Sequence, residues 1–158
     1  MKIAVLGAGK MGLSFSKSFL KYELIKPQNL QLITRNQLNK GRISEIFPDS
    51  QIFSFDEIKE LEADLIIVAV KPQDFSFVAE NLPFKIPENA LVLSIMAGIS
   101  IEKIQKNLNH KLGVRAMPNS PTLLGMGITG YTAAPGIAFN QLIQVERLMN
   151  STGRSVYL

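Results

Sequence analysis

A glycine-spaced hexapeptide near the amino terminus restricts what this chain can fold into more than any other feature. Gly7-Ala8-Gly9-Lys10-Met11-Gly12 reads G-x-G-x-x-G and follows directly on the apolar run Ile3 to Leu6. It opens a segment in which Met11, Phe15, Phe19 and Tyr22 recur at helical spacing. A strand must therefore turn sharply into a helix with one apolar face. Gly7 permits the tight turn, Gly9 leaves no Cβ between the backbone and a pyrophosphate, and Gly12 lets the helix pack closely on the strand. The helix N-terminus then faces the phosphates. Strand, motif and helix together point to dinucleotide binding; without a ligand the same residues are a glycine-rich turn.

The rest of the chain alternates short β-branched runs with helix-period segments. Strands are expected at residues 30–34, 51–53, 65–70, 90–95, 114–115 and 128–132, with one more beginning at 156–158. A helix from about Asp74 uses Phe75, Val78 and Leu82. A second, N-capped by Ser100 and followed by Gly113, buries Ile101, Ile104 and Leu108, and a third spans 138–149. This order predicts an α/β chain with a Rossmann-like dinucleotide-binding fold, a mostly parallel sheet with helices on both faces. At 158 residues it is expected to form one domain, residues 1–158.

Composition narrows the class. The excess of 17 Lys and Arg over 13 Asp and Glu is diffuse, with no basic run to follow a nucleic-acid backbone. The absence of cysteine leaves no disulfide, thiolate metal site or cysteine nucleophile. Met1-Lys2 leads straight into a strand, and no apolar stretch has membrane-spanning length. These features predict a cytoplasmic protein with no metal, no membrane anchor and no nucleic-acid partner.

The end of the second strand selects the nucleotide. A carboxylate there would hydrogen-bond the 2′-hydroxyl of NAD and repel the 2′-phosphate of NADP. No acid lies between Glu23 and Glu45, and the strand ends in Thr34-Arg35-Asn36, with Lys40 and Arg42 following. A guanidinium at Arg35 can fork onto a phosphate, flanked by hydroxyl and amide donors. NADP(H) is therefore the expected cofactor; otherwise Arg35 is a solvated surface charge. Three further strand ends carry small residues or prolines where open α/β sheets bind ligands: Ala69-Val70-Lys71-Pro72, Met96-Ala97-Gly98, and Met117-Pro118-Asn119-Ser120-Pro121. By periodicity alone, the first two are equally well ordinary buried strand ends.

Taken in order, G-x-G-K-M-G, A-V-K-P, M-A-G-I-S and R-A-M-P-N-S-P-x-L-x-G-M-G make the chain resemble the pyrroline-5-carboxylate reductases over essentially its whole length. The M-P-N-S-P run is the most discriminating part. The resemblance implies NADPH-dependent reduction of the imine of 1-pyrroline-5-carboxylate to L-proline. It places Gly7 to Gly12, Thr34 to Asn36, Ala69 to Pro72 and Met96 to Gly98 along the cofactor, with Met117 to Pro121 beside the nicotinamide and substrate. Asp56 departs from the asparagine that the family has near the adenine ribose. The resemblance also implies a helical C-terminal domain that meets the substrate and forms the homo-oligomer. That domain is not in this sequence, so the chain alone is expected to be monomeric, to bind cofactor and to be inactive.

No residue is an evident proton donor, and the catalytic group is left unassigned. His110 is expected to be a solvated surface histidine, and Asp56, Glu57, Glu60, Glu62 and Asp64 a solvated acidic face. Two rival functions stay open: a non-catalytic NADP-binding module or truncated paralogue, and a related imine or β-hydroxyacid reductase on the same fold.

Overall fold

The computed structural model describes residues 1–119, 122 and 124–158. Among them the chain runs β1 (Ile3–Leu6), α1 (Lys10–Lys21), β2 (Leu30–Thr34), α2 (Gln37–Ile46), β3 (Gln51–Ser54), β4 (Leu65–Val68), α3 (Phe75–Glu80), β5 (Leu91–Ser94) and α4 (Ile101–Leu108). It continues through β6 (Gly113–Met117), β7 (Gly127–Ala133), α5 (Phe139–Met149) and β8 (Gly153–Tyr157). The strands form one sheet in the order β3-β2-β1-β4-β5-β6-β7-β8. β1 to β6 are mutually parallel, β7 runs antiparallel to β6, and β8 pairs in parallel with β7. This is the expected Rossmann-like α/β architecture.

Both faces of the sheet are apolar because the strand period of two sends alternate side chains into two cores. Ile3, Val5, Leu30, Leu32, Leu65 and Ile67 join Phe15 and Phe19 of α1, Ile43 of α2, and Val145, Leu148 and Met149 of α5. Ala4, Leu6, Ile33, Ile66, Val68 and Val92 pack with Phe75 of α3 and with Ile104 and Leu108 of α4. Removing one such fully buried Ile or Leu side chain from water contributes about 1.5–3 kcal/mol. The chain passes from β1 to β2 on one side and returns to β4 on the other. The loops leaving the carboxyl ends of β1 and β4 diverge there, which opens a crevice.

Several expectations need correction. The sequence pattern does not predict α2, because Gly41 interrupts it and Ile43 is its one buried residue. Tyr22 lies outside α1 as an exposed cap residue, so the apolar stripe is one position shorter than expected. β4 ends at Val68, two residues early, since Ala69 and Val70 turn into the loop. α4 is closed by Asn109 in the left-handed conformation (φ 49°), while Gly113 begins β6. An asparagine tolerates that conformation because its short polar side chain offsets the strain locally. His110 is half-buried, and its Nε2 lies 2.6 Å from the carbonyl oxygen of Ala90, fastening the end of α4 to the start of β5.

Candidate functional site

The crevice holds a cavity of about 550 Å³. Its floor is the β1–α1 turn with the end of β4, and one rim is the end of β2 with the start of α2. Gly7 takes φ +106°, and a Cβ there would meet the backbone of Ala69 at 2.8 Å. A Cβ on Gly12 would come within 2.8 Å of the Gly7 carbonyl oxygen and 3.1 Å of the Ala69 Cβ. These two glycines and the small Ala69 therefore let the turn, α1 and β4 close on one another. Gly9 differs: a Cβ built on it meets nothing within 4 Å, and Gly9 lines the cavity. Internal packing does not require a glycine at that position, whereas a ligand approaching the backbone does.

The start of α1 suits an anion. Gly9 provides no side-chain cap, and the first turn contains no acid. Gly7, Ala8 and Gly9 on the lining thus set the positive end of the helix dipole at the edge of the cavity. At the β2 rim, Arg35, Asn39 and Arg42 line the cavity together. Arg42 Nη2 reaches Asn39 Oδ1 at 3.4 Å, and the Arg35 side chain is 72% exposed, so its fork is accessible. Phe55, Phe77 and Val78 add an apolar wall. The charges on the lining are Arg35, Arg42 and Lys71 against Asp74. This set fits a dinucleotide carrying an extra phosphate: glycine backbone and helix amides for the pyrophosphate, guanidinium groups for the additional anion, and apolar side chains for a base.

The sequence-derived residues distribute unevenly around this cavity. Gly7, Ala8, Gly9, Thr34, Arg35, Ala69, Val70 and Lys71 line it. Lys10, Met11 and Gly12 lie in the first turn of α1, and Pro72 starts the turn after β4; none of the four is on the lining. Asn36 is the N-cap of α2, its Oδ1 accepting from the Asn39 amide at 3.0 Å. The Thr34 hydroxyl is buried and donates to the carbonyl oxygens of Asn36 and Phe53. Met96, Ala97 and Gly98 lie past β5, and Met117, Pro118 and Asn119 are at or past the end of β6, all outside the lining. Met96 is buried in the core that faces α3 and α4. Asn119 Oδ1 accepts from the Ile128 amide at 3.1 Å, tying the β6–β7 connection together. Ser120 and Pro121 lie outside the described residues. Sequence reasoning missed Asn39, Phe55, Asp74, Phe77 and Val78 as lining residues, and had Arg42 only as a neighbouring charge.

The acidic segment is more structured than a solvated face. Glu57 accepts from Lys40, Gln37 and Ser54, and these hydrogen bonds, that of Lys40 foremost, hold its carboxyl at about 2. The contacts fasten the start of α2, and with it Asn39 and Arg42, to the end of β3. Asp56 accepts from the Ser54 hydroxyl at 2.6 Å. Lys2 pairs with Glu62 at 2.7 Å, and the Lys2 amide donates to Asp64.

Residues 2–98 match the family described as NADP oxidoreductase coenzyme F420-dependent. A pyrroline-5-carboxylate reductase of Arabidopsis thaliana is 26% identical, over 97% of this chain and 55% of that protein. One from Aquifex aeolicus is 31% identical, over 97% of this chain and 56% of that protein. Among solved structures, a pyrroline-5-carboxylate reductase from Coxiella burnetii superposes with a TM-score of 0.86 at 24% identity, over 99% of this chain and 58% of that one. Plasmodium falciparum pyrroline carboxylate reductase with NADP bound gives 0.80 at 24% identity, over 100% of this chain and 57% of that one. At this identity the structural likenesses speak for the fold. The chain spans a little over half the length of the curated relatives it matches. With the family match extending over well more than half of its residues, the chain belongs to the NADP oxidoreductase, coenzyme F420-dependent, family and has pyrroline-5-carboxylate reductases as its relatives.

Proposed function

We propose that this chain binds NADP(H) in the β1–β4 crevice and supplies the cofactor-binding part of a reductase that converts the imine of 1-pyrroline-5-carboxylate to L-proline. The observation that carries the first part is the combination at one cavity of an unfilled Gly9 position, an acid-free α1 N-terminus, and Arg35 with Arg42 where an NAD-specific site needs a carboxylate. The names of the relatives support the second part.

In this reading the amides at the start of α1 hold the pyrophosphate, and Arg35, Asn39 and Arg42 hold the 2′-phosphate. Phe55, Phe77 and Val78 cover the base. The bound cofactor supplies a hydride from C4 of its nicotinamide. The carboxyl edge of the sheet orders the loops as β2, β1, β4, β5 and β6, so the ends of β5 and β6 lie on the side of the crevice away from Arg35. Residues 96–98 and 117–119 there form one wall for the nicotinamide and the imine in this reading, and hydride transfer further needs an opposing wall that orients the imine and keeps water out.

Titration of NADPH and NADH against the 158-residue chain tests the cofactor assignment. NADPH is expected to bind at least tenfold more tightly, and Arg35→Asp is expected to erase that preference with the chain still folded. Equal affinities in the wild type, or an undiminished preference in Arg35→Asp, overturn it.

A further inference from the structure

The mouth of the cavity holds one carboxylate that cofactor binding does not call for. Asp74 lines the cavity at the end of the turn after β4, and its Oδ2 lies 3.6 Å from Nη2 of Arg35, which reaches across from the end of β2. Asp74 is also the N-cap residue of α3, the position where an aspartate side chain ordinarily accepts from the helix amides. Here the side chain makes no cap hydrogen bond, while the Asp74 backbone amide donates to the Lys71 carbonyl. The carboxylate is thus left to face the guanidinium. From these placements we infer that Asp74 is a specificity-determining residue that competes with the cofactor's 2′-phosphate for Arg35 and thereby limits the preference for NADPH over NADH. This inference rests on the cofactor reading above.

The sign follows from geometry. At 3.6 Å the contact is longer than a charge-assisted hydrogen bond of about 2.7–2.9 Å, and the side chains are 72% and 40% exposed. So loose a pair fixes the orientation of Arg35 weakly, and Asp74 adds little preorganisation. It does offer a competing negative charge, and any phosphate that forks onto Arg35 must share the guanidinium with it or displace it. A like charge beside the bound phosphate acts in the same direction. A cofactor with a free 2′-hydroxyl meets neither opposition. Exposed ion pairs are worth up to about a factor of five in an equilibrium constant, which sets the size of the effect.

The experiment is a titration of NADPH and NADH against the wild-type chain, Asp74→Asn, Arg35→Gln and the double variant, with melting curves as a check on folding. Asp74→Asn keeps the side-chain shape and removes no cap bond. It is expected to tighten NADPH about fivefold and to change NADH less than twofold, and in the Arg35→Gln background its gain on NADPH should fall below twofold. Weaker NADPH binding in Asp74→Asn would make Asp74 a positioning residue for Arg35 and overturn the inference. Unchanged NADPH binding, or an equal gain with and without Arg35, overturns it as well. Should Asp74→Asn fail to fold, Asp74→Ser serves with the same expected pattern. The outcomes separate from failure of the cofactor reading, which would show in the wild type as no preference for NADPH.

Discussion

The glycines of the β1–α1 turn do different work, and substitution should distinguish them. A side chain at Gly9 enters open space, so Gly9→Val should melt within a few degrees of the wild type while losing at least about a hundredfold in NADPH affinity. A side chain at Gly12 runs into the Gly7 carbonyl and Ala69, so Gly12→Val should lose about 1–3 kcal/mol or more of stability before any effect on binding is considered. Thermal melts followed by NADPH titration of the folded variants check both, and a stable, binding-competent Gly9→Val would remove the ligand from the turn. The hexapeptide was legible in the sequence because its meaning comes from local order: strand, glycines, helix. Asp74, Phe77 and Val78 were not, since nothing in their neighbourhood says that the turn after β4 will face β2 across a cavity.

Among the elements, α2 matters most to the rim and is the least evident in the sequence. Its ten residues bury Ile43 alone and include Gly41, which costs about 1 kcal/mol in a helix interior. What secures it is polar: the Asn36 cap and the contacts of Lys40 and Gln37 with Glu57. Asn36→Ala should therefore destabilise the chain by about 1 kcal/mol and weaken NADPH binding, because the helix carries Asn39 and Arg42. Glu57 adds a pH dependence. Its folded-state carboxyl sits near 2 against an ordinary 4.5, so its contribution to stability is fully present above about pH 4.5 and is lost as the pH falls towards 2. Acid titration of unfolding should show a steeper decline over that window in the wild type than in Glu57→Gln, and parallel curves would show that Glu57 does not hold α2. The strands were far easier to foresee, since β1 is an unbroken apolar run and β2 carries Leu30, Leu32, Ile33 and the β-branched Thr34 around the single Gln31. Their ends were harder, because Ala69 and Val70 continue the pattern of β4 after the backbone has turned away.

For the molecule as a whole, binding and turnover should separate. At a hundredfold excess over its dissociation constant, NADPH should stabilise the folded chain by about 2.7 kcal/mol, a rise of roughly 5–10 °C in melting temperature, with less from NADH at the same concentration. An NADPH oxidation assay with 1-pyrroline-5-carboxylate should find the 158-residue chain at least about a hundredfold slower than a full-length relative such as the Aquifex aeolicus enzyme. A comparable rate would place the whole reacting site within these residues. The mostly parallel sheet with helices on both faces followed from the alternation of strand and helix patterns in the sequence, whereas the placement of the M-P-N-S-P segment beside a nicotinamide rests on resemblance, with Ser120 and Pro121 outside the described residues. The contact of Gly7 and Gly12 with Ala69 has a consequence in time. A Cβ on either glycine would overlap the Gly7 carbonyl or Ala69, so the floor of the crevice has little slack to take up when a ligand arrives. Capture should then be a single encounter whose observed rate rises linearly with NADPH concentration and shows no slower second phase, as befits a seat already in its final shape.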